Sequence, residues 1–245
     1  FNRTGGTINL AAAVNNAGNS FTLNSTTGSW NLSGGSISGG TVNTADGATL
    51  IATGSGGTLT DVDFNGEILA SATNAFVNVG GATRFDAFRA QGTNTEARLA
   101  NGFVLQDAFV ADTAAGGTRF LRNSATNSTA TIGATGSVTL ASGAGGNLSI
   151  QPVFGTFGLT NNGLIRSEAS GRTLTVGTNT FTNNGMMEVA NGALTIGATS
   201  WTNAGTIAVS GGTLNLDGGW NTSAGIGTFN RTGGTINLAA AVNNA

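Results

Sequence analysis

Apolar residues recur along this chain in pairs spaced i, i+2, and the pairs return at a nearly constant interval. Toward the C-terminal end they are Leu174/Val176, Leu194/Ile196, Leu214/Leu216 and Ile236/Leu238. That spacing puts both side chains on one side of a β-strand. The residue between them, Thr175, Thr195, Asn215 or Asn237, points the other way. A second row keeps the same interval, with Met187/Val189, Ile207/Val209, Gly227/Phe229 and Phe21/Leu23.

Just ahead of each second pair lies a turn: TNNG at 182–185, TNAG at 202–205, TSAG at 222–225 and NNAG at 15–18. Glycine there is expected to supply positive φ, and Asn to bond neighbouring backbone. Asn16, Asn161, Asn183, Asn203 and Ser223 are then expected to stack as a polar ladder along one corner. One large apolar residue per coil precedes the turn: Phe181, Trp201, Trp220 and Val14.

These rows predict an all-β fold, a parallel β-helix or β-solenoid, built from roughly 20–22-residue coils. Each coil is expected to hold two or three short strands between Gly/Asn corners. Stacked coils pair strand on strand at about 4.8 Å per coil. An antiparallel sandwich would instead need hairpins about every 8–12 residues, and the in-phase return of one motif per coil does not provide them.

A longer period encloses the short one. Phe1 to Ala17 reads FNRTGGTINLAAAVNNA, and Phe229 to Ala245 repeats it letter for letter. Fixed-period identity marks a repeat architecture. A tandem array of 228-residue units with roughly ten to eleven coils each is expected; a deliberately duplicated end is the alternative. Wrapping the end onto the start carries the apolar row from Ile236/Leu238 to Trp30/Leu32. Residues 1–245 thus read as one continuous solenoid with no capping signal at either end, with 57–157 as less regular coils inside it.

Composition narrows the function. The chain holds 41 Gly, 1 Pro and only 8% charged residues, with a net charge of −2. Nine Arg spread along the chain without any Lys do not make the clustered cation surface that nucleic acid requires. No run of about 18 apolar residues exists to insert in a membrane. Cysteine is absent, which excludes a disulfide framework and thiolate metal sites. No cofactor is expected. The surface is small, neutral and polar, which suits stacked ladders of like residues. The expected partner is the chain itself, end to end and laterally.

Twelve of the twenty charged residues fall between Asp61 and Arg122, together with most of the Phe. Arg84, Phe85, Asp86, Phe88 and Arg89 form the densest cluster, RFDAFR. Two readings stand: solvated corners over a wider core, or a belt for lateral contact or a ligand such as a glycan. Asp61 and Asp63 share one side of an expected strand and form the one candidate acid–base or calcium pair. Without His, Cys or Lys the chain lacks the usual nucleophile–base arrangements, so no enzyme is expected. Outward Thr173, Thr213 and Thr235, beside Thr175 and Thr195, suggest an ice-binding face, but the row changes to Asn at Asn215 and Asn237.

Segments such as FTNNGMMEVANGALTIG and WTNAGTIAVSGGTLNLDGG resemble the secreted right-handed β-helices of bacteria. These include filamentous-haemagglutinin-type adhesins, autotransporter passengers and giant tandem-repeat surface proteins. The resemblance covers residues 1–56 and 157–245 well and the middle loosely. It is specific for fold. It implies right-handed coiling, export through a bacterial envelope, and a cell-surface role as fibre, stalk or adhesin.

Overall fold

A computed structural model describes residues 6–223 and 225–243. Among them the chain is all-β, and every strand pairing is parallel. The strands stack into three longitudinal faces, giving about 11 turns of about 22 residues each. The first face runs from Ile8–Leu10 through Trp30–Leu32 to Thr228–Arg231. The second runs from Ala13–Asn15 through Ser36–Ser38 to Thr235–Leu238. The third runs from Phe103–Leu105 to Gly219–Asn221 and Ala241–Asn243, while Ser20–Leu23 and Thr41–Thr44 pair with each other and join the first through Asp63–Ala70.

The rows read from the sequence are the rows that pair. Leu174, Leu194, Leu214 and Ile236 stack in register on the second face, and Val176, Ile196, Leu216 and Leu238 beside them. Phe181, Trp201 and Trp220 stack on the third with Val242, whereas Val14, read as a member of that row, lies on the second face against Ile37. Alternation explains the burial: Thr213–Leu216 reads half-buried, buried, half-buried, buried along its length. Apolar side chains fill the interior while the polar ones between them face outward.

The turns depart from expectation. Gly225 and Gly18 do take positive φ, at 87° and 72°. Gly185 and Gly205 are not among the positive-φ glycines. They serve close approach instead. A Cβ on Gly185 would sit 2.3 Å from the Gly163 carbonyl oxygen, and one on Gly205 2.1 Å from that of Gly185. Those oxygens are fixed, since they accept from the Met186 and Thr206 amides at 2.8 Å each. Gly185→Ala should therefore cost about 1–3 kcal/mol by overpacking, measured by denaturant unfolding; an unchanged midpoint would show that the backbone can yield there.

The Gly227/Phe229 pair also shifts. Phe229 opposes Ile207, so Val209 faces Arg231 rather than Phe229. The cause is a longer corner ahead of Thr228, which carries the strand start further along the chain.

The irregular middle continues the same three faces. Strand Asp63–Ala70 pairs its first half with Thr41–Asn43 and its second half with Leu50 and Ile51. One strand thus rounds the corner between the column of Thr41–Thr44 and that of Leu50–Ala52 without a loop. Arg84–Ala90 follows it around, with a register shift between Phe85 and Ala87. A bulge of this kind re-aims side chains. Here it leaves Phe85, Ala87 and Phe88 all buried.

The terminal duplication lands on different faces. Ile8 lies on the first face against Trp30, while its duplicate Ile236 lies on the second against Leu214. Both placements satisfy the same alternation.

Candidate interaction surface

Three members of the expected ladder form a buried amide column. Asn161, Asn183 and Asn203 are each 0% exposed and stack in register. Asn161 Nδ2 donates to Asn183 Oδ1 at 2.7 Å, and Asn183 Nδ2 to Asn203 Oδ1 at 2.7 Å. Asn203 Nδ2 closes the column on the Ile226 carbonyl at 2.8 Å. An Asn amide carries both donor and acceptor, so the column continues itself from coil to coil. Asn16 and Ser223 lie outside it. Asn16 donates to the Thr41 and Asn19 carbonyls, and exposed Ser223 gives its amide to Asn221 Oδ1. The column is structural and inward-facing.

The RFDAFR cluster divides by the same alternation. Phe85 and Phe88 lie in the core, at 3% and 0% exposure, so neither can form part of a surface belt. Phe88 stacks on Phe109 with ring centroids 5.3 Å apart. Arg84, Asp86 and Arg89 remain on the outside. The Arg84 guanidinium forks onto Asp107, with Nε 3.0 Å from both carboxylate oxygens. That hydrogen bond holds Arg84 above the ordinary arginine value. Arg89 bridges Glu67 at 2.8 Å and Asp112 in the next coil, and the Glu67 bond raises it in the same way. These pairs run along the solenoid axis and tie successive coils together.

A second cluster, on the second face, is not apparent in the sequence. Glu96 accepts from Arg98 Nε at 2.6 Å and from Arg122 Nη1 at 2.8 Å. Arg98 lies 4.0 Å over the Phe76 ring and Arg122 3.6 Å over Phe120. Burial pushes the Arg122 guanidinium down from its ordinary value, with Glu96 opposing that shift. Phe76, Glu96 and Phe120 are register partners. The only signal for them is their outward place in three coils, and unequal coil lengths hide the register. Cation–π stacking occupies one face of each ring, so the two outward aromatics of this region are already engaged.

The acid pair separates. Asp61 sits at a corner with φ 56°, and its Oδ1 accepts from the Ala82 amide at 2.8 Å. Asp63 begins the next strand, opposite Arg84. The pair therefore does not belong to one strand, although both acids are exposed with Val62 buried between them. No group of three His, Cys, Asp or Glu that would hold a metal occurs among the described residues.

The outward rows of the second face are mixed. Thr173, Ala193, Thr213 and Thr235 form one, and Thr175, Thr195, Asn215 and Asn237 the other. Asn237 donates to Asn215, and Asn215 to Thr195, at 2.9 and 3.1 Å. These polar groups bond along the axis rather than presenting a uniform threonine array.

Among the described residues, the large apolar side chains with the highest exposure lie between Ile226 and Val242. Leu238 is 59% exposed, Ile226 56% and Val242 43%. No protein-family model, curated protein or solved structure matches this chain.

Proposed function

We propose that this chain is a repeat unit of an extracellular bacterial filament that grows by end-to-end stacking of solenoid coils. One observation carries the reading: parallel ladders run in register through all the described coils, and the segment at 1–17 recurs letter for letter at 229–245, as in a repeated solenoid unit. The style of the repeats, similar to secreted bacterial β-helices, supports a place outside the cell. The function is mechanical: every coil is tied to its neighbours by backbone hydrogen bonds, apolar columns and axial amide and ion-pair rows.

The test is helical diffraction or electron cryomicroscopy of concentrated protein. Fibres with a strong meridional spacing near ~4.8 Å and an axial repeat of about 50 Å are expected. Because the end contact is apolar and backbone-based, the fibres should persist at about 1 M salt, where exposed ion pairs are screened. Monodisperse particles at every concentration would overturn the reading; fibres that dissolve in salt would shift the contact to the charged belt.

A further inference from the structure

Most arginines that pair along this solenoid have a carboxylate of their own. Arg84 forks onto Asp107 through Nε and Nη2. Arg166 forks onto Glu188 through the same two atoms and reaches Glu168 at 3.2 Å. Arg89 has both Glu67 and Asp112. On the second face the arrangement differs, because Arg98 and Arg122 share one acid. Each gives Glu96 a single N–H, Arg98 from Nε and Arg122 from Nη1. Both Nη groups of Arg98 and Nη2 of Arg122 make no hydrogen bond among the described residues. Arg122 Nε is buried without a partner as well.

Two cations against one anion leave a positive charge over, in a chain whose net charge is −2. The side chains of Arg98 and Arg122 are only 21% and 16% exposed. Charges so covered are screened less than those in open solvent. Burial pushes Arg122 below its ordinary value, Glu96 opposes that shift, and the like charge of Arg98 adds to it. The excess charge is therefore felt within the cluster.

The two guanidiniums are also held in place. They are register partners on the adjacent parallel strands Glu96–Leu99 and Thr118–Asn123. Arg98 rests over Phe76 and Arg122 over Phe120. An arginine fixed on a ring has already lost much of the rotamer freedom that binding would otherwise remove. Asn78, the register partner of Arg98 on Phe76–Gly80, is neutral and does not repel an anion.

We propose that the unused Nη edges of Arg98 and Arg122 form a binding site for a carboxylate carried by a ligand from outside the chain. A guanidinium edge presents parallel N–H groups that match the two oxygens of a planar carboxylate. Arg84 and Arg166 show that fork with acids of this chain; Arg98 and Arg122 have it free. The site lies in the middle coils and stands whether or not the solenoid polymerises.

The test is nitrogen–proton NMR of the arginine side chains in the full-length protein. Acetate and glucuronate are the probes, and glucose is the neutral control. Both carboxylates should shift the Arg98 and Arg122 resonances, with half-saturation at about 1 mM. Arg84 and Arg166, already forked, should stay in place. Glucuronate binding tighter than acetate would name a sugar acid as the ligand, and equal binding would name the carboxylate group alone. Arg98→Gln should weaken binding about tenfold, and Glu96→Gln, which frees both guanidiniums of their shared acid, should tighten it by about as much. Those opposite signs cannot both come from a general loss of structure. Equal shifts at all four arginines, equal shifts with glucose, parent-like binding by Arg98→Gln, or no tightening in Glu96→Gln would each overturn the proposal.

Discussion

Trp201→Ala should lower stability by about 3–5 kcal/mol, the range for emptying a large aromatic from a packed core. Trp201 is 1% exposed, stacks on Trp220 with centroids 4.8 Å and planes 6° apart, and sits in register with Phe181. Its indole N–H also donates to the Asp217 carbonyl at 3.0 Å, so the alanine variant loses a hydrogen bond along with the ring. In a solenoid each coil touches only its neighbours, so the damage should stay local. Hydrogen exchange should show protection lost from about residue 181 to 231 and kept in the coils near Phe64 and Phe88. Trp201→Phe, which matches Phe181 one coil earlier, should recover most of the loss. An alanine variant within about 1 kcal/mol of the parent, or a uniform loss of protection, would contradict a column-by-column core.

Asn183→Ala should cost about 2–4 kcal/mol, because it breaks the amide column at its middle. Asn203 Oδ1 loses its donor and Asn161 Nδ2 one of its two acceptors. Water cannot replace them where all three residues are 0% exposed. Asn183→Asp adds a sharper signature. Burial disfavours a carboxylate, so its pKa in the folded state is raised above the unfolded value of about 3.9. Stability is then fullest at low pH, where the neutral acid can donate to Asn203 Oδ1. It is lost as pH rises through the raised folded value. The alanine variant has no such group and should show no added pH dependence. Thermal unfolding of both variants between about pH 3 and pH 7 separates the cases; an aspartate variant as stable at neutral pH as at acid pH would mean that the column is wet.

How legible the fold is depends on coil length. From Leu174 to Leu238 successive coils are nearly equal, so Leu, Ile and Val of successive strands align by counting. The Asn column is legible for the same reason at Asn161, Asn183 and Asn203. It does not extend to Asn16 and Ser223, where the corner changes shape. In the middle, the register partners Phe76, Glu96, Phe120 and Ser149 follow one another at steadily longer intervals. Counting fails there, so Glu96, Arg98 and Arg122 do not stand out as one cluster. Phe85 and Phe88 are three residues apart, which plain strand alternation would put on opposite sides; at the register shift two residues of the strand 63–70 answer to one of 84–90, and both rings face the core.

The sequence alone determined the parallel solenoid, its coil length and its apolar rows, because each is a periodicity and periodicity survives in one dimension. It also showed that the chain restarts at Phe229. Tertiary structure decided three things that no count along the chain contains. The corner glycines at Gly185 and Gly205 answer to a carbonyl in the preceding coil, not to their own φ. Two strands round a corner that a composition-based reading would have filled with loops. And the repeat closes one face out of phase, because the unit is not a whole number of coils and each strand must still alternate inward and outward.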